Sequence, residues 1–343
     1  MDGIDGKTRK LIYMKTLIHK LFTVLTCTFA FACVQAYAQA NNYELETKTL
    51  PVSEFTSVSA EDDFEVTLLR GPQSVKVTSY RDLMPYIQVY VRGKVLYVTF
   101  DERSVPKDVK KQYKGRGANE PVYRVVVSLT ELNGITLGNN ATLVSSDTFI
   151  SNNRFDMNLA DKAQVKSLEL QAASVSVSMK KNAQAVMTLT ADKKLEVSTD
   201  GNANLKLTAT APEMQLDAAG SSDCILVANS ENAALSMVGS SDMTATLKTK
   251  KAVLKTSGSS ELILSGEAES LEVQGEKSSN IDAAGFTTKT LDVNMSGTSK
   301  VNVAVTDSIT ATLIGGSALY YTGTPAIKIG KIIKSTLAPT GSK

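Results

Sequence analysis

From residue 135 to residue 323, apolar residues occupy alternate positions in short runs, and the runs themselves recur about every 20 residues. Around Gly220, Met214, Leu216 and Ala218 lie six, four and two residues before it, and Cys224 lies four after it. The same places around Gly239 hold Ala233, Leu235, Met237 and Met243, and around Gly258 they hold Ala252, Leu254, Thr256 and Leu262. Alternation of period two marks a strand with one buried face. Each repeat therefore predicts two short strands, one before and one after a Gly-Ser-Ser corner. A second corner is polar and variable, as in Asn229-Ser230-Glu231-Asn232 and Lys248-Thr249-Lys250-Lys251. The frame runs through Asn139, Asp161, Lys181, Gly201, Gly220, Gly239, Gly258, Lys277, Gly297 and Gly315 in steps of 22, 20, 20, 19, 19, 19, 19, 20 and 18 residues.

A fixed period in this range implies stacked coils, each contacting only its neighbours. The prediction is an all-β fold: a parallel β-helix or solenoid of about ten coils of 18–22 residues over 133–323. Parallel in-register pairing at about 4.8 Å per coil would make a rod of roughly 48 Å. No stretch in 135–323 keeps helical periodicity for the 10–12 residues a helix needs. The corner forms a ladder of its own: Gly201, Gly220, Gly239, Gly258, Gly297 and Gly315, with Ser222, Ser241, Ser260, Ser279, Ser299 and Ser317. Earlier coils carry Ala141, Ala163, Ala183 and Ala203 in the serine column. A small residue at every corner predicts a side chain turned inward where the coil is narrow, with serine able to bond backbone groups of the bend.

The ends differ in texture. Residues 1–38 read as a signal peptide, with Met14 as the start of translation: Lys15 and Lys20 precede an apolar run over 21–34, and Ala36-Tyr37-Ala38 follows. The run is short for a membrane span, which needs about 20 residues, so no transmembrane span is expected in the mature chain. Lipidation at Cys33 is the weaker alternative, because Ala30-Phe31-Ala32 fits a lipidation box poorly. The chain is thus expected to be exported, to the periplasm, the outer-membrane surface or the medium. Removing 1–38 takes away the only histidine (His19), two of the three cysteines, five of 37 basic and two of 35 acidic residues. The remaining 32 basic and 33 acidic residues give no basis for a nucleic-acid partner. Residues 43–132 predict a β-rich N-terminal capping module with strands over 55–59, 64–69, 75–79, 87–91, 95–100 and 122–129. Residues 324–343 predict a C-terminal cap or tail whose Lys328, Lys331 and Lys334 would deter end-to-end pairing. The segment 102–121, with Lys107, Lys110, Lys111, Lys114 and Arg116, reads as a solvated loop, or alternatively as a contact for an anionic glycan or lipopolysaccharide.

Chemistry is sparse. Transition-metal sites want His and Cys, and the mature chain would keep only Cys224, which falls in an inward column. A Ser-His-Asp or Cys-His pair has no histidine to use, and no phosphate loop or dinucleotide fingerprint occurs. We therefore expect no catalytic residue, no metal and no cofactor. The weak binding candidates are Asp223, Asp242 and Glu261, stacked one coil apart, and Tyr320, which should point outward while Tyr321 points in. A separation near 5 Å is close to the carboxyl spacing of a retaining glycosidase and would also suit Ca²⁺. The stronger reading is that they are ordinary corner residues; Asn204, Asn280 and Lys300 share their column.

Phe55-Thr56-Ser57-Val58, then Asp63-Phe64-Glu65-Val66-Thr67-Leu68 with Gly71, then Ser74-Val75-Lys76-Val77, together with the Gly-Ser-Ser-Asp corners and the closing Tyr320-Tyr321-x-Gly323-x-Pro325, resemble the family described as putative auto-transporter adhesin, head GIN domain. The likeness spans roughly residues 50–325. It implies a secreted or surface β-solenoid of the kind common in Bacteroidetes, without an established enzymatic activity. About 20 residues follow the repeats, too few for a barrel of eight strands. The expected function is non-enzymatic binding or adhesion at the cell envelope, to a glycan or a protein. The alternatives are a carbohydrate-active enzyme using the acidic ladder and a purely structural periplasmic scaffold. The oligomeric state stays open.

Overall fold

The computed structural model describes residues 44–114 and 118–341. The signal-peptide reading with Met14 and Cys33, and Arg116 of the basic segment, lie outside the described residues. The chain is 72% strand and 4% helix and forms a parallel β-solenoid of about 11 turns. By internal contacts it divides into a large unit (47–78, 86–104 and 122–343) and a small one that includes 79–85 and 105–121.

In the large unit, the repeats become long strands: β11 Gln164–Lys181, β12 Gln184–Gly201, β13 Asn204–Gly220, β14 Asp223–Gly239, β15 Asp242–Gly258, β16 Glu261–Lys277, β17 Asn280–Met295 and β18 Lys300–Ile314. Each pairs in parallel with the next, and β14 to β15 runs from Asp223↔Asp242 to Gly239↔Gly258. The two short strands expected per coil are thus one extended segment that continues through the second corner. Within β14, Cys224, Leu226 and Ala228 are buried and then Ala233, Leu235 and Met237 are. Five residues separate 228 from 233, so the inward phase resets at the bend while the backbone stays extended. The core is the set of columns this generates, such as Leu205, Cys224, Met243, Leu262, Ile281, Val301 and Leu319, each at most 2% exposed. Burying a side chain of this size stabilises by about 1.5–3 kcal/mol.

The first corner is left-handed in every coil. Asn139, Asp161, Lys181 and Lys277 have φ of 54–63°, while Gly201, Gly220, Gly239, Gly258, Gly297 and Gly315 open to 75–97°. A β-carbon at Gly258 would fall 2.3 Å from the carbonyl oxygen of Gly239 in the coil beneath. Ser259 N–H donates to that oxygen at 2.7 Å, so it is held in place. Glycine is required there by both conformation and close approach.

The stacking continues beyond the repeat at both ends. β1 Leu45–Leu50 precedes β2 Ser57–Ala60, which lies parallel on β8 Gly134–Leu137, as does β10 Arg154–Leu159; β3 Glu65–Arg70, followed by β4 Ser74–Tyr80, lies parallel on β9 Thr142–Ile150. Asp62, between β2 and β3, holds φ 61°. It occupies the corner position 77 residues before Asn139. Between β3 and β8 the chain adds β5 Ile87–Arg92, antiparallel to β6 Val95–Phe100, and β7 Arg124–Leu129, which is parallel to β3. At the other end, β19 Ala318–Thr322, β20 Ala326–Ile333 and β21 Thr336–Pro339 complete the stack; β20 pairs with β18 and β21 with β19.

In the small unit the chain also departs from the expected loop. Residues 107–112 of the expected loop form a short helix, α1 Lys107–Gln112. Pro106 precedes it, Asp108 is in its first turn, and Lys110 and Lys111 end it, an order the helix dipole favours. Tyr113, just after it, packs its ring against Tyr80 in a tilted arrangement, centroids 5.6 Å apart, and donates to Asp82 Oδ1 at 2.7 Å.

Candidate functional site

The phase reset at the second corner splays the outward side chains apart. Between them, across Thr210–Pro212, Asn229–Glu231, Lys248–Lys250, Glu267–Glu269 and Lys289, runs a groove of about 660 Å³. Ala211, Thr249 and Ala268 form its floor and are 2–8% exposed. One rim is Asn229, Lys248 and Glu267, aligned in register. The other is Glu231, Lys250, Glu269 and Lys289. The sign of charge alternates along the second rim, and the first carries one Lys–Glu pair.

Each rim charge is paired with its neighbour one coil away. Lys248 Nζ is 2.9 Å from Glu267 Oε1, Lys250 Nζ is 2.8 Å from Glu231 Oε1, and Lys289 Nζ is 3.9 Å from Glu269 Oε1. The hydrogen bond from Lys248 holds the Glu267 carboxyl below its ordinary range, and the bonds to Glu267 and Glu231 raise Lys248 and Lys250. Lys248, Lys250 and Glu267 are therefore charged near neutral pH. Exposed pairs contribute little to stability, about 0–1 kcal/mol each, and so are easily exchanged for contacts with a ligand. Hydroxyl groups line the floor: Ser230 Oγ donates to Thr249 Oγ1 at 3.1 Å. Sequence reasoning treated this corner only as polar and variable. The spacing Glu231, Lys250, Glu269, Lys289, at 19, 19 and 20 residues, was the available signal.

Asp223, Asp242 and Glu261 are register neighbours, exposed at the starts of β14, β15 and β16 just after the first corner. Asn204 Nδ2 donates to Asp223 Oδ2 at 3.3 Å. Beside them stand Ile225 and Ile263, each nearly half exposed. None of the three carboxylates lines the groove. Among the described residues, no group of three or more His, Cys, Asp or Glu side chains is placed to hold a metal ion. Tyr320 is half-buried beneath Lys300, whose Nζ is 5.4 Å from the ring centre. Tyr321 is also half-buried rather than core, because only the short β21 lies over it.

The serines of the corner ladder are all buried. Ser222 Oγ donates to Ala219 O at 2.7 Å, Ser299 Oγ to Ser296 O at 3.1 Å and Ser317 Oγ to Ile314 O at 3.3 Å. Ser279 Oγ donates to Ser299 Oγ at 3.2 Å and Ser241 Oγ to Ala218 O at 3.4 Å, whereas Ser260 Oγ has no partner. Cys224 is fully buried, and burial pushes its thiol up to about 11. It is a packing residue, not a nucleophile.

A second depression, of about 400 Å³, lies on the first corner of the early coils, with Asp62, Asp63, Asn139, Asn140 and Asp161 in its wall. Its groups satisfy one another: Asn139 Nδ2 donates to Asp62 Oδ1 at 3.0 Å and Asn140 Nδ2 to Asp63 Oδ1 at 2.8 Å. Lys181 pairs with Asp161 and lowers the pKa of its carboxyl.

The family model described as "putative auto-transporter adhesin, head GIN domain" matches residues 54–226 and 223–325. The chain belongs to this family. Among solved structures, it is similar to a "putative adhesin" from Parabacteroides distasonis ATCC 8503, at 16% identity and TM-score 0.37 over 88% of this chain and 98% of that one. It is similar to a "putative adhesin" from Parabacteroides merdae ATCC 43184, at 17% identity and TM-score 0.32 over 87% and 97%. A "putative lipid binding protein" from Parabacteroides distasonis ATCC 8503 aligns at 18% identity and TM-score 0.37 over 87% and 98%. No curated protein matches the chain. The head GIN family is named for adhesion, and no described helix is long and apolar enough to cross a membrane.

Proposed function

We propose that this head GIN chain is an exported, non-enzymatic binding protein of the cell envelope, and that it takes an extended polar polymer, a glycan, into the second-corner groove. The observation that carries this reading is the alternation of Glu and Lys along one rim, Glu231, Lys250, Glu269 and Lys289, at one-coil spacing, with the Lys248–Glu267 pair facing it. Such rims offer donors and acceptors at regular intervals of about 4.8 Å. A peptide strand lying along the axis would present same-face side chains every 6.7 Å or so and would fall out of step. The family name supports adhesion, and the amino-terminal segment read as a signal peptide supports export. The glycosidase alternative is not favoured: the acidic ladder stands outside the groove.

The test is a glycan array probed with the wild type and with a Lys248→Glu/Lys250→Glu double variant. Binding that the variant loses supports the reading. Glycan binding unaffected by the variant moves the site elsewhere, and an empty array with retained binding to a protein partner overturns the choice of polymer.

A further inference from the structure

Among the described residues, the last coil is open on one side. β20 has β18 on one side, and no strand of the described residues pairs with its other edge. Its inward positions are Ile327, Ile329 and Ile332, in register with the buried Ile309, Ala311 and Leu313. In any earlier coil these residues would be covered. Here Ile327 is 41% exposed and Ile329 is 59% exposed. The outward positions are Lys328 and Lys331, in register with Thr310 and Thr312. Residues 323–343 contain four lysines and no acidic residue.

Three occupants can cover such an edge, and the chemistry separates them. A second copy placed edge to edge would set lysine against lysine, and like charges directly opposite are destabilising. A lipid surface would take the isoleucines, but an open row of backbone N–H and C=O groups does not enter hydrocarbon. An added strand satisfies that row, continues the apolar column with its inward residues and meets the lysines with acidic ones. We infer that the free edge of β20 is a strand-addition site for an acidic partner segment that alternates apolar residues with Asp or Glu. The assignment does not depend on the groove or its ligand.

The experiment measures fluorescence anisotropy of a labelled nine-residue peptide alternating Val and Glu, with a Val and Lys peptide as its counterpart, against the purified protein. The expected result is saturable binding of the acidic peptide, tighter than the basic one. Each acidic-to-basic reversal across a strand pair shifts the balance, and two together are worth roughly tenfold. The double variant Lys328→Glu/Lys331→Glu should therefore lose the acidic peptide about tenfold and gain the basic one. Both side chains are exposed, so the variant keeps the fold. Ile329→Asp, also exposed, should weaken both peptides. Equal binding of the two peptides, or acidic-peptide binding untouched by the charge reversal, overturns the assignment. So does a dimer in light scattering that Ile329→Asp dissolves, or co-sedimentation with phosphatidylglycerol vesicles that Ile329→Asp abolishes.

Discussion

Replacing Gly258 with alanine tests the account of the corner. The glycine sits at φ 97°, and the new β-carbon would lie 2.3 Å from Gly239 O. Two escapes exist. The corner can close toward the 54–63° of the non-glycine corners, which keeps a left-handed alanine at about 1–2 kcal/mol and shifts one coil against the next. Or Gly239 O can retreat, stretching the 2.7 Å bond from Ser259 N–H and losing about 0.5–1.5 kcal/mol. Alanine stays left-handed by either route, so the loss is about 1–2 kcal/mol by the first and about 1.5–3.5 kcal/mol by the second. The control is Lys277→Ala, since a β-carbon is already accommodated there at φ 63°; it should change stability by about 0.5 kcal/mol or less, as surface substitutions do. Urea unfolding followed by far-ultraviolet circular dichroism gives the totals. Hydrogen exchange localises the effect, which matters because a repeat array need not unfold in one step. The expectation is faster exchange centred on β14 to β16. A loss under 0.5 kcal/mol at Gly258, or an equal loss at Lys277, would refute the close-approach argument.

The remaining expectations can be checked with the same material. Leu235→Ala opens the core column and should cost about 2–5 kcal/mol, whereas Ile225→Ala, at 43% exposure, should fall within about 0.5 kcal/mol in urea melts. Ser222→Ala removes a made hydrogen bond and should cost about 1 kcal/mol, while Ser260→Ala removes a hydroxyl that has no partner and should be neutral or stabilising. Because burial raises the Cys224 thiol from 9.0 to about 11, its contribution to stability is full below pH 9 and is lost as pH rises through about 11; Cys224→Ala should flatten that part of the stability profile, and the native thiol should resist a disulfide reagent at pH 8. Breaking the exposed pair with Glu267→Gln should change stability by less than about 1 kcal/mol, with a difference that shrinks further in 1 M salt.

The period of the repeat made most of the fold legible. Each coil repeats the same alternation, so Leu216, Leu235 and Leu254 declare one column without any contact information. The first coil was hidden because 77 residues separate Asp62 from Asn139; the insertion breaks the period, although Val58, Phe64 and Val66 keep the inward phase. The final coil was hidden by Gly330, where the register slips and Ile332-Ile333 spoils the alternation. Helix α1 is too short to express a 3.6-residue period. The groove could not be read from one coil, because its rims exist only when Lys248 meets Glu267 and Lys250 meets Glu231 across coils. The acidic ladder was visible as a column, but that its residues stand outside the groove follows from the backbone bend at the other corner.

Strand register that runs from one end of a coil to the other has a mechanical consequence. Load applied along the stack would not shear all the ladders at once; it would open the seam between the outermost coil and the next, one backbone hydrogen bond after another. Each released coil of 19 residues pulls out to roughly 65 Å of extended chain, against the roughly 4.8 Å it occupied when stacked. A chain tethered at one end and gripped at the other would lengthen in a series of near-equal steps, absorbing work at each while the coils beneath stayed wound.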